Sequence, residues 1–352
     1  MITTTQKKSE LELGSNAVEY YSNYWSEGIA VSSRTHLLAD WIISTFLNNV
    51  SGKEILEVGV GGEGGIISRL ADANNVFGAD VSESAIRNCQ RMGLRVKLCD
   101  LNRENLPYQD GSFDCVVALE VFEHFSNPQM ALEEIRRVLR DGGLLLISIP
   151  TRWSYHWPRC FYPDMIFGQD AFLRFLRANG FRIDRNEHGV VPCNAARRVP
   201  EFYKYQNLFF SGLKLSDADA DSYFDNAMYF WDEIDENGMR FDPITALDLF
   251  RKSYKLSGSN KHLMAFTHAL LYRVLNCELD EFREMFQEIK RRDAVVSEQE
   301  LDSWREAFAG LLLEADMMGL PLVDAREMEK VLTYAKKKPE LMEFCKRLHI
   351  VL

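Results

Sequence analysis

The chain has 352 residues, 46% of them hydrophobic, and a formal net charge of −11. That length predicts two domains or one enlarged domain with a real core. The acidity argues against strong affinity for nucleic-acid backbones or anionic membranes, and no apolar run approaches the ~20 residues that span a bilayer.

The first residues, MITTTQKKSE, lack the apolar stretch of a secretory leader. Seven scattered cysteines form no CxxC pair, which fits reduced thiols in a cytoplasm better than a disulfide framework. Residues 1–15 read as a loose lead, and 16–49 carry Tyr20, Tyr21, Tyr24 and Trp25 before an amphipathic helix from Thr35 to Leu47. Residues 1–49 are thus expected to form an N-terminal lid and helix segment.

A regular alternation follows. Strand-like runs fall at 53–58, 75–79, 94–99, 113–119 and 144–149, with helical runs at 64–72, 82–91 and 128–139 between them. Asn127-Pro128 reads as a cap followed by proline in the first helical position, and Gly93 and Asp141-Gly142-Gly143 read as helix stops. Short apolar strands alternating with helices predict a doubly wound, mostly parallel α/β sheet covered on both faces. Ligands bind such sheets at the carboxyl ends of the strands. A further helix at 169–178 and a strand at 181–187 complete an expected domain over 50–200. The sequence places no further strand.

The run Glu57-Val58-Gly59-Val60-Gly61-Gly62-Glu63-Gly64-Gly65 joins the first strand to its helix. Gly59-x-Gly61-x-x-Gly64 satisfies a dinucleotide fingerprint, with Asp80 at the distance of a ribose-binding acid. A pyrophosphate, however, wants bare amides and is repelled by nearby carboxylates such as Glu57 and Glu63. S-adenosylmethionine (SAM) has no phosphate and carries a sulfonium and an ammonium, which acidic groups favour.

Glu57-x-Gly59-x-Gly61 resembles motif I of the class I SAM-dependent methyltransferases, although Glu63 stands where that family has a third glycine. The segment Leu106-Pro107-Tyr108-x-Asp110-Gly111-Ser112-Phe113-Asp114 is similar to the family's approach to strand four, and the resemblance covers roughly 50–187. It implies a Rossmann-like fold with SAM as cofactor. Glu57, Gly59 and Gly61 would hold the methionine end, Asp80 and Val81 the ribose, and Asp100 and Leu101 the adenine, with Glu120 beside the cofactor. Asp114 would hold loop backbone.

Strand four ends in Glu120-Val121-Phe122-Glu123-His124. One reading is acid–base: His124 takes a proton from the acceptor, oriented by Glu120 or Glu123. A second is metal binding. An ExxEH motif of this kind is shared with small-RNA 2′-O-methyltransferases and ubiquinone-pathway O-methyltransferases, and His156 after strand five would complete a set of Glu120, Glu123, His124 and His156 for magnesium, manganese or zinc. A third is packing around SAM. The aromatic stretch Trp153, Tyr155, Trp157, Phe161 and Tyr162 suits a sugar ring or planar metabolite, and His156 to Asp164 looks like a segment of methyltransferases from polysaccharide and natural-product gene clusters.

From about residue 200 the texture becomes helical and charged, which predicts an α-helical C-terminal domain over 201–352 that dimerises, closes the pocket or docks a partner protein. His188, His262, His268 and His349 belong to no motif and read as surface or packing residues. The expected activity is methyl transfer from SAM to an oxygen or nitrogen of a small metabolite or glycan, with His124, His156 and Glu123 at the acceptor. The alternatives are a metal-assisted small-RNA 2′-O-methyltransferase, a non-catalytic SAM-binding scaffold whose helical domain recruits a partner, and a nicotinamide oxidoreductase.

Overall fold

The computed structural model describes residues 21, 33–150, 169–190, 205–232, 242–271, 279–293, 296–297, 301–320 and 322–347. The chain divides into two compact units, Met1–Asp217 and Ala218–Leu352.

The first unit is built on a seven-stranded sheet of order β3-β2-β1-β4-β5-β7-β6. Its strands are β1 (Glu54–Val58), β2 (Asn75–Asp80), β3 (Arg95–Leu98), β4 (Phe113–Leu119), β5 (Leu139–Pro150), β6 (Phe181–Val190) and β7 (Tyr205–Lys214). β1 through β5 pair in parallel, and β7 runs antiparallel to both β5 and β6. The order reverses between β1 and β4, so the carboxyl ends of these two strands flank the crevice in which such sheets hold ligands.

The helices of this unit are α1 (Ser33–Phe46), α2 (Ile67–Leu70), α3 (Glu83–Arg91), α4 (Pro128–Val138) and α5 (Gln169–Ala178). The caps follow from side-chain chemistry. The Ser82 hydroxyl accepts the Ala85 amide at 3.2 Å, and the Asn127 side chain accepts that of Met130 at 3.2 Å. Such a cap stabilises a helix by about 1 kcal/mol. Ile55, Ile67, Cys115, Val117 and Leu146 are almost wholly enclosed in the core beneath the crevice, so the strand ends that carry the site rest on a rigid base.

Several boundaries differ from the sequence expectation. The seventh strand lies beyond residue 200, and the first unit continues to Asp217. Leu208, Phe209, Phe210 and Ser211 are all buried, so the strand carries no alternation to read. A side chain at Gly212 would strike the Arg182 carbonyl of β6, which is why a strand-breaking residue sits inside it. Regular helix after the glycine loop is confined to Ile67–Leu70. Pairing of β5 with β4 begins at Leu139, so Asp141-Gly142-Gly143 lies within an irregular strand start rather than between elements.

In the second unit the described elements are helices: α6 (Ala220–Asp232), α7 (Pro243–Ser257), α8 (Asn260–Leu271), α9 (Leu279–Asp293), α10 (Leu301–Met317), α11 (Ala325–Ala335) and α12 (Pro339–Arg347). Among the described residues no helix is long and apolar enough to cross a membrane.

Candidate functional site

The glycine run leaves β1 through backbone that only glycine adopts easily. Gly59, Gly61, Gly64 and Gly65 all have positive φ, at 76°, 64°, 83° and 53°. The loop is tied to β2: the amides of Gly59 and Gly61 donate to the Ala79 carbonyl and to Asp80 Oδ2, both at 2.8 Å. A side chain at Gly59 would run into Val121, so the first loop and the turn after β4 touch at a point where neither has room to spare.

Asp80 closes β2 with its second oxygen accepting the Ser82 amide at 2.8 Å. Burial raises its pKa, while the Gly61, Ser82 and Val81 amides oppose the shift. The carboxylate is thus aimed along the crevice and held by the two loops that bound it.

Glu57 lies underneath the loop, 3% exposed, and accepts the Ile67 amide at 3.1 Å. Burial pushes its pKa to about 8, with the Ile67 and Ile66 amides opposing and Asp80 adding to the rise. Its described role is therefore to cap the start of the loop helix from inside. The folded pKa lies above the ordinary value of 4.5, so the folded state holds the proton longer and stability falls as pH rises from there through about 8. Glu57→Gln is expected to melt close to wild type near pH 5 and above it at about pH 8.5, by on the order of 2 kcal/mol. A thermal unfolding series across pH checks this, and a stabilisation independent of pH would contradict it.

At the end of β3, Asp100 Oδ1 accepts the Asn102 amide at 3.1 Å, and Oδ2 pairs with Arg103 at 3.4 Å. Leu101 is 4% exposed, packed inward. Asn102 Oδ1 in turn accepts the Ser126 amide at 2.7 Å, which links this loop to the turn after β4. Asp114 accepts the Glu54 amide at 2.9 Å and pairs with Arg140 at 2.6 Å, so it holds the start of β1 in place.

β4 ends at a residue in an unusual conformation. Glu120 has φ of 54°, the one described non-glycine residue with positive φ, a conformation that costs about 1 kcal/mol or more. Ser148 of β5 holds it from two sides: its hydroxyl donates to Glu120 Oε1 at 2.9 Å, and the Glu120 amide points at that same hydroxyl at 3.1 Å. Phe122–His124 then form a single 3₁₀ turn. Burial pushes the Glu120 pKa to about 7, opposed by Asn207 and Ser148. Burial also drives Glu123 well above the carboxylate range, and the charge of Glu120 adds to the rise. Both carboxyls therefore hold a proton to higher pH than an exposed glutamate does.

His124 Nε2 lies 2.8 Å from the Tyr21 hydroxyl and 3.6 Å from Glu123 Oε1. The Tyr21 ring meets the imidazole edge-on at 5.3 Å, and the Tyr21 carbonyl accepts the Ser82 hydroxyl at 3.2 Å. Tyr21 therefore reaches from the end of β2 to the end of β4, across the crevice.

Among the described residues no group of three His, Cys, Asp or Glu side chains is placed to hold a metal ion, so Glu120, Glu123 and His124 do not form one by themselves. The cause is local geometry: positive φ turns Glu120 toward Ser148, and a 3₁₀ turn replaces the helical turn that would have aligned Glu120 with Glu123 and His124. No step through magnesium, manganese or zinc is derived. His156 and the aromatic stretch at 153–162 lie outside the described residues, as do Tyr20, Tyr24 and Trp25.

Sequence reasoning missed Ser148 and the role of Tyr21. Ser148 is the polar residue in the otherwise apolar run Leu144–Ile149, which was its only signal. Tyr21 was one aromatic among several.

Residues 56–147 match a family model described as a methyltransferase domain. A protein of Mycolicibacterium smegmatis named "probable S-adenosylmethionine-dependent methyltransferase" is 32% identical over 134 residues, covering 38% of this chain and 48% of its own length. A protein of the same description from Mycobacterium tuberculosis is 32% identical over 105 residues, 30% of this chain and 38% of that protein. A phthiotriol/phenolphthiotriol dimycocerosates methyltransferase of Mycobacterium ulcerans is 38% identical over 105 residues, 28% and 38% of the two chains. The chain thus spans about half or less of the length of these curated relatives. With the glycine loop, Asp80 and the ordered strand ends already in place, the match puts residues 56–147 in the class I SAM-dependent methyltransferase superfamily.

Proposed function

We propose that this chain transfers the methyl group of SAM to an oxygen or nitrogen of a small metabolite or glycan. The observation that carries the reading is Asp80, a carboxylate fixed by the Gly61 and Ser82 amides at the mouth of the crevice. Its described partners are the Gly61, Ser82 and Val81 amides, so of its about four acceptor sites at least one stays open to a ribose hydroxyl. A cationic, phosphate-free ligand is supported by the loop glycines, which let backbone come close, and by the acids Asp80, Asp100 and Glu120 at successive strand ends.

When bound, SAM supplies an electrophilic methyl on a sulfonium. The protein's own task is alignment of the acceptor and removal of its proton. Asp80 and Val81 hold the ribose, Asp100 and Leu101 the adenine, and Gly59 and Gly61 pass the methionine end, with Glu57 supporting their loop from beneath. His124 accepts the acceptor's proton. Tyr21 orients the imidazole by engaging its Nε2. Glu123 and Glu120 stabilise the cation that forms. An overall acidic chain disfavours RNA as acceptor.

The test is label transfer from methyl-labelled SAM into fractionated small-molecule, glycan and RNA pools. Label is expected in the first or second pool; label confined to RNA would overturn the acceptor class. His124→Ala is expected to lower transfer by about 10²- to 10⁴-fold while SAM affinity stays within about threefold. Tyr21→Phe should retain SAM affinity and lower transfer by about tenfold. Full turnover by His124→Ala would remove it from the acceptor side.

A further inference from the structure

The second unit holds a pocket of its own, about 400 Å³, between α6, α7, α8 and α10. That volume falls in the range of small-molecule sites. Its apolar walls include Trp231, Phe250, Met264 and Trp304. Phe250 is 1% exposed and forms a floor, and Trp231 meets it edge-on at 5.9 Å. Trp304 is locked, since its indole N–H donates to Asp293 Oδ1 at 2.9 Å. These aromatic walls are therefore held in place by contacts of their own.

Among the described residues no carboxylate lines the pocket, whereas Lys261 and His268 do. His268 Nε2 lies 2.6 Å from Glu314 Oε2, a carboxylate enclosed behind the wall with its side chain 3% exposed. Lys261 Nζ lies 3.9 Å over the Phe224 ring and 3.2 Å from Asp221. Asp221 is 75% exposed, so that ion pair is weak and leaves the ammonium able to take a better-placed anion.

We propose that this pocket binds a small amphipathic anion, an aliphatic or aromatic body bearing a single carboxylate that is received by Lys261. The apolar body replaces water on the Trp and Met faces, and the carboxylate remains at the partly exposed rim where Lys261 stands. This site is independent of the methyl-transfer reading, because it is built wholly from residues of the second unit.

Laurate and its neutral counterpart dodecanol are titrated into the full chain, with tryptophan fluorescence as the readout. Laurate is expected to bind saturably below about 100 μM, and more tightly than dodecanol. Lys261→Gln should weaken laurate about tenfold and leave dodecanol within about twofold. Ala265→Phe, on the pocket wall, should weaken both by more than about tenfold with an unchanged circular dichroism spectrum. Ser303→Trp, at the exposed rim, gives the same blockade if Ala265→Phe does not fold. No saturable change up to about 1 mM laurate, equal response of laurate and dodecanol to Lys261→Gln, or binding unaltered by blockade would each overturn the proposal.

Discussion

Asp80→Ala is expected to abolish measurable stabilisation of the protein by SAM. The substitution removes the group assigned to both ribose hydroxyls, and hydrogen bonds to a charged acceptor contribute about 1.5–3 kcal/mol each. Affinity should therefore fall by at least about 10²-fold. It also removes the acceptor for the Gly61 and Ser82 amides, so the ligand-free protein should melt lower. The two effects separate cleanly. Asp80→Asn keeps one oxygen acceptor and is expected to lose affinity by about tenfold with a smaller change in melting. An Asp80→Ala protein that binds SAM within about threefold of wild type would show that the ribose is held elsewhere.

Gly65→Ala carries the largest expected cost in stability. Gly65 has φ of 53°, and a methyl there would be driven into the enclosed carboxyl of Glu57. Glu57 is 3% exposed and holds the Ile67 amide, so it has nowhere to retreat. Backbone strain and overpacking together predict a loss of about 3 kcal/mol or more. The contact is also specific. Trimming Glu57 in the same chain relieves the clash, so the double variant should be less destabilised than the two single losses summed. Simple additivity in denaturant unfolding would mean that Glu57 does not pack where the loop helix begins.

What was legible in the sequence was whatever is encoded by local chemistry. β1, β2 and β4 are largely apolar runs, the last two running into Asp80 and Glu120, Asn127-Pro128 announces a helix start, and the glycine loop can be read because its backbone has no alternative to glycine at Gly59 and Gly61. The seventh strand was not legible, since a strand buried on both faces shows no alternation and Gly212 argues against it until β6 is seen beside it. The Glu120–Ser148 pair joins residues of neighbouring strands, and the Tyr21–His124 bond spans 103 residues; neither leaves a local trace. The ExxEH residues do not gather as a metal set among the described residues, for a related reason. Spacing in ExxEH aligns side chains only on a helix, and the chain there adopts a positive φ and a 3₁₀ turn.

On this proposal, acids at the sheet's carboxyl edge grip a cationic, phosphate-free nucleoside. Calorimetric titration of the wild-type chain with SAM, its demethylated product and NAD tests that grip directly. Saturable one-to-one heats with the first two and none with NAD are predicted. Binding of NAD with no response to either sulfur compound would contradict it.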